Sequence, residues 1–130
     1  MMLGSGLAVF ITICVATMDT RAQSVEKCLE AYSSLEMQDC LQSVAKRATA
    51  ELDDLVARLT TVLGPEEREI FERANRSWAT YRADHCECAA KRFSGGSLES
   101  TTRITCWAML IEGRLADLRK LYSDVLKASP

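Results

Sequence analysis

Apolar residues recur along the middle of this chain at steps of three and four. The first such run is Met37, Leu41, Val44, Ala48, Leu52, Leu55, Val56, Leu59 and Leu63, the spacing of one buried stripe on an α-helix. Lys46, Arg47, Glu51, Asp53, Asp54 and Arg58 lie between them as a solvated face, so Asp53 and Asp54 are not read as a catalytic carboxylate pair. A second run carries Ile70, Phe71, Ala74, Trp78, Tyr81, His85 and Ala89, and a third Ile104, Trp107, Ala108, Ile111, Leu115, Leu118, Tyr122 and Val125. No alternation of period two is long enough for a strand. The pattern predicts an all-α fold: an antiparallel bundle of three long helices.

The breaks between the runs are equally legible. Ser33, with Glu36 three residues on, has the form of a capping box and starts the first long helix. Before it, Ser24-Val25-Glu26 opens a short helix through Cys28 to about Tyr32. Gly64-Pro65 ends one long helix and begins the next, with proline at the first helical position and Glu66, Glu67 and Glu69 against the positive end of the dipole. Ser94-Gly95-Gly96-Ser97 breaks the pattern again. Ser100 or a neighbouring hydroxyl is then the expected cap of the third helix, and the loop is read as Lys91 to Thr102.

Residues 1–22 follow a different rule, because Leu3 to Met18 holds no ionised side chain and Thr20-Arg21-Ala22 places small residues before a cut. This predicts a signal peptide, 1–22, cleaved before Gln23, and a single mature domain, 23–130. The apolar run is shorter than the roughly 20 residues of a spanning helix, which argues against a retained anchor. Cys14 would suit a lipoprotein, but Ile13 stands where a small residue is wanted.

Export changes the meaning of the cysteines. Removing Cys14 from the six in the chain leaves Cys28, Cys40, Cys86, Cys88 and Cys106, which in an oxidising compartment are expected to form bridges, with one left over. The preferred pairs are Cys86 with Cys106, closing a loop of about 20 residues for about 3 kcal/mol, and Cys28 with Cys40. Cys88 is then a free or intermolecular thiol, although pairing of Cys88 with Cys106 satisfies the same spacing. His85-Cys86-Glu87-Cys88 also invites a metal reading, but Cys86 and Cys88 point about 200° apart on a helix, and no second cluster completes four ligands. No metal or other cofactor is expected.

Charge adds little, since 16 basic and 18 acidic residues are interspersed for a net charge of -2. Nucleic acid is therefore not an expected partner. No nucleophile elbow, phosphate loop or zinc-protease motif is present, and the chain is read as a non-enzyme.

Asn75-Arg76-Ser77-Trp78-Ala79-Thr80-Tyr81-Arg82, Cys86, the glycine loop, Cys106 and Arg114-Leu115-Ala116-Asp117-Leu118 together resemble the LprI-type lysozyme-inhibitor domain family. Its long helix reads Gln-Arg-x-Trp-x-x-aromatic-Arg, followed four residues later by cysteine, then by a glycine loop, a cysteine and a late Arg-x-x-x-Leu. Here Asn75 replaces the glutamine and Cys88 is additional. The resemblance implies a secreted or periplasmic helical domain whose partner is a protein, in some members a lysozyme blocked by steric occlusion. An envelope component docking another protein is the alternative. Trp78, Tyr81, Arg82 and Arg114 are expected to be core residues and inter-helix clamps, and the 91–102 loop and the Gly64-Pro65 turn are the candidate contact loops.

Overall fold

A computed structural model of the chain describes residues 24–129; the expected signal peptide lies outside them. The fold is all-α, with α1 (Val25–Leu29), α2 (Ser34–Val62), α3 (Pro65–Lys91), α4 (Leu98–Leu121) and α5 (Ser123–Ala128). No described helix is long and apolar enough to cross a membrane.

Local chemistry sets the boundaries. The Ser33 hydroxyl accepts from the Glu36 N–H and starts α2, and Ser24 does the same for Lys27 at α1, satisfying donors left over at a helix start. At α3 the Glu67 carboxylate accepts from the Gly64 N–H at 3.2 Å, with Pro65 at the first helical position.

Two boundaries differ from expectation. The third long helix begins at Leu98, with Ser97 as its N-cap and no side-chain cap bond; Ser100 lies inside its first turn, where its hydroxyl accepts from Gln38 Nε2 of α2. The same helix stops at Leu121, since Tyr122 (φ -110°, ψ 22°) leaves helical geometry and α5 is a separate turn. Val125 therefore belongs to α5. The short first helix likewise ends at Leu29, before Tyr32.

Side-chain pairs give the directions of the helices. Gln38 meets Ser100 and Thr101 and Glu51 meets Arg119, so α2 and α4 run parallel. Cys86 meets Cys106 and Asn75 meets Arg114, so α3 runs antiparallel to both. Helix α4 packs on both α2 and α3, which touch each other little.

The core falls into two parts. The larger joins Leu52, Leu55, Leu59 and Leu63 of α2 and its C-cap to Phe71 of α3 and Ile111, Leu115 and Leu118 of α4, closed by Tyr122 edge-on to Phe71 at 5.5 Å. The smaller joins Val25 and Cys28 of α1 to Leu41, Val44 and Ala108. The first lies toward the Gly64 turn and the second toward the glycine loop, giving the bundle a turn end and a loop end.

Candidate functional site

Helix α3 buries less of itself than its sequence promises. Of the expected stripe, Phe71 is buried and Trp78 half-buried, whereas Ile70 and Tyr81 are each 52% exposed and His85 is exposed. The inward seam instead alternates polar and aromatic side chains: Arg68, Phe71, Asn75, Trp78 and Arg82 are buried or half-buried, and Cys86, Ala89 and Ala90 continue it toward the loop. Tyr81 stacks on His85 at 5.2 Å on the outer face, so it is not an inter-helix clamp. The hydropathic stripe missed this seam because arginine and asparagine occupy heptad positions where apolar residues are normally sought.

What makes the polar seam tolerable is a stack of alternating rings and cations. The Arg82 guanidinium lies 4.2 Å from the Trp107 ring of α4 and 4.9 Å from Trp78, and Arg114 lies 5.7 Å from the Trp78 ring. Arg114 also donates to Asn75 Oδ1 at 3.0 Å. A planar guanidinium suits this place, since it stacks on aromatic faces and gives up less hydration than an ammonium. Burial pushes the Arg82 pKa down, and Asp53 of α2 draws it back up by Coulombic attraction. The direct contacts of Arg82 are therefore the two rings, and Asp53 acts on it only as a longer-range attraction. Arg68 Nε, Arg82 Nε, Arg114 Nε and Asn75 Nδ2 are buried without a hydrogen-bond partner. Such atoms cost stability, and the seam gains a fixed register instead.

The expected chemistry of His85-Cys86-Glu87-Cys88 is dispersed. Cys86 is buried and bonded to Cys106, Cys28 is bonded to Cys40, and Cys88 is an exposed free thiol. Among the described residues no group of three His, Cys, Asp or Glu side chains could hold a metal. The seam has no nucleophile, and its rings and cations are spent on one another.

A surface of different character occupies the loop end. The α3–α4 connection is only residues 92–97, since Lys91 closes α3 and Leu98 to Thr102 are helical. Gly95 adopts φ +82°, the left-handed region that suits glycine. Its N–H donates to the Glu99 carboxylate at 3.2 Å, while the Gly96 N–H donates to the Phe93 carbonyl. Arg103 donates to Glu87 and to Glu99 at 3.0 and 3.1 Å. These bonds hold both carboxyls below their usual range: Arg103 is the first cause for Glu87, the Gly95 N–H for Glu99. On and beside this braced loop Phe93 and Leu98 are exposed, and so are Tyr32 and Leu35 at the start of α2.

Two apolar recesses lie on the described surface. One of about 300 Å³ is lined by Gln42 and Ala45 of α2 and Arg103, Ile104 and Trp107 of α4. Another of about 270 Å³ lies at the turn end, lined by Leu63, Glu67, Ile70, Phe71, Ala74 and Tyr122. Neither gathers convergent catalytic groups.

Comparison with known proteins accords with this arrangement. The sequence model of a family described as lysozyme inhibitor LprI matches residues 25–118, which spans α1 to Leu118 of α4. An uncharacterised protein of Rhizobium meliloti (strain 1021) is 24% identical over 127 residues, covering 88% of this chain and 91% of the relative. No solved structure matches.

Proposed function

Because the chain belongs to the LprI lysozyme-inhibitor family, we propose that it is an exported, non-enzymatic protein that binds a lysozyme and inhibits it by covering the cleft. The family match over residues 25–118 carries this reading. A bundle with two disulfides supports it physically, since a rigid binder loses little conformational freedom on association. The mature protein would be residues 23–130, freed of 1–22, acting in the periplasm or outside the cell.

A second reading, an envelope component that docks another protein, draws on the exposed Tyr32, Leu35, Phe93 and Leu98 toward the loop end, because exposed apolar surface marks interaction sites. The two separate in one experiment: lysozyme activity on peptidoglycan, measured while the purified, oxidised domain is titrated in beside a reduced control. Saturable inhibition that disappears on reduction is the expected result. Absence of inhibition at micromolar excess, against both animal and bacterial lysozymes, would favour the envelope reading.

A further inference from the structure

Covalent bracing and exposed apolar surface coincide at one end of this molecule. Both disulfides lie there: Cys28–Cys40 ties α1 to the start of α2, and Cys86–Cys106 ties the end of α3 to the start of α4. Gln38 adds hydrogen bonds from α2 to Ser100 and Thr101, and Arg103 joins α3 to α4 through Glu87. The turn end has the larger share of the core and no crosslink among the described residues. The turn end therefore rests on the larger core, whereas at the loop end bonds and ion pairs reinforce a smaller core, and there Leu29, Tyr32, Leu35, Phe93 and Leu98 face solvent, as Ile70 and Leu121 do at the turn end. Fixing exposed side chains in place lowers the entropy cost of binding.

Charge selects the kind of partner. Lys91 is paired with Glu87 and Arg103 with Glu87 and Glu99, but among the described residues Arg92 has no carboxylate partner, and its guanidinium sits 5.6 Å over the Phe93 ring. The loop thus opens, at the C-cap of α3, with one uncompensated cation on an aromatic support, followed by Gly95 and Gly96. Glycoside hydrolases of the retaining and inverting kinds carry two carboxyl groups facing each other across a cleft. A cationic loop is complementary to such a cleft.

We infer that the 92–97 loop is the inhibitory element, entering a carboxylate-lined cleft with Arg92 as its charged anchor and Phe93 as its apolar one, while Tyr32, Leu35 and Leu98 cover the rim. This assignment rests on the lysozyme reading above and specifies the surface that performs it. Anchors of this type concentrate binding energy in a few central residues.

The test compares the oxidised wild-type domain with Arg92→Glu, Phe93→Ala, and a turn-end control, Glu69→Arg, in both an inhibition assay and calorimetric titration of lysozyme. Circular dichroism and non-reducing mass mapping check that each variant keeps its helices and both bridges. The expected result is a loss of about 30-fold or more for Arg92→Glu, the size found when a buried charge pair is broken, a smaller loss for Phe93→Ala, and none for the control. Wild-type affinity should fall with added salt, while for Arg92→Glu, whose charge is repelled by the cleft carboxyls, that dependence should vanish or reverse. Titrating lysozyme whose two catalytic carboxyls are replaced by amides should weaken wild-type binding to the level of Arg92→Glu.

Each contrary result is distinct. Inhibition by the wild type that both loop variants retain in full would overturn the loop assignment and leave the lysozyme reading standing. A wild type that neither binds nor inhibits would overturn both. A domain that dimerises in sedimentation alone, and becomes monomeric as Phe93→Ala, would show that a second copy occupies the surface, overturning the cleft assignment.

Discussion

At the scale of single residues, Arg82 shows how a cation is kept in a helix seam without a direct carboxylate contact. Its stabilisation is spread over two indole faces, at 4.2 and 4.9 Å, and depends on a flat, delocalised charge. Lysine retains the charge but not the plane. Arg82→Lys should therefore lower stability by about 1–2 kcal/mol, read as a lower urea midpoint with unchanged slope; an unchanged midpoint would show that charge alone suffices. This environment was only partly legible in the sequence. The sequence marked Arg82 as an expected inter-helix clamp, but its second ring, Trp107, comes from a helix 25 residues away, and only packing joins them. Asn75 is similar: the sequence marked it as a departure from glutamine, whereas its bond to Arg114 needed the register of α3 against α4.

At the scale of elements, α2 was the most legible, because its stripe contains only apolar residues and Leu41, Val44, Leu52, Leu55 and Leu59 are all buried as spaced. Helix α3 was the least, because its heptad alternates Arg68, Asn75 and Arg82 with Phe71 and Trp78, so hydropathy drew in Ile70 and Tyr81 instead. The end of α4 was misplaced for another reason: the apolar spacing continues through Tyr122 and Val125 although the backbone does not. Within α4, Gly113 has nothing within 4 Å of where a Cβ would stand and lies mid-helix. Gly113→Ala should raise stability by about 1 kcal/mol through helix propensity. Gly95 also has open space, but its φ of +82° makes alanine unfavourable, so Gly95→Ala should lower stability by about 1 kcal/mol. Thermal melts of the two variants should shift in opposite directions; shifts of the same sign would contradict the conformational argument.

Across the whole molecule, stability is supplied by different means at the two ends. Reduction removes only the crosslinks, so it should loosen the loop end first while the Leu55, Leu59, Ile111, Leu115 and Leu118 core persists. Hydrogen exchange measured by mass spectrometry, before and after reduction, should show protection lost in residues around 25–41 and 86–106 but largely retained around 52–63 and 111–118. Uniform loss would mean that the bundle opens as one unit. The sequence had indicated the three long helices and a hairpin at the glycine loop. It could not indicate that α2 and α3 scarcely touch, because nothing local in a chain records which of its neighbours in sequence will be neighbours in space.

The central placement of α4 bears on the order in which the chain can become itself. Synthesis proceeds from the N-terminus, so α2 and α3 exist before the helix that joins them, and with little mutual contact α3 has little tertiary support until residues 98–121 arrive. Until then Cys86 and Cys88 are thiols two positions apart, and chain distance to Cys106 barely distinguishes them. What separates them is the turn of α3, which places their side chains about 200° apart and directs Cys86 alone toward α4, where Cys106 arrives. Helices form far faster than disulfides, so the turn of α3 is in place when the sulfurs react, and the bridge goes to Cys86 while Cys88 stays outside.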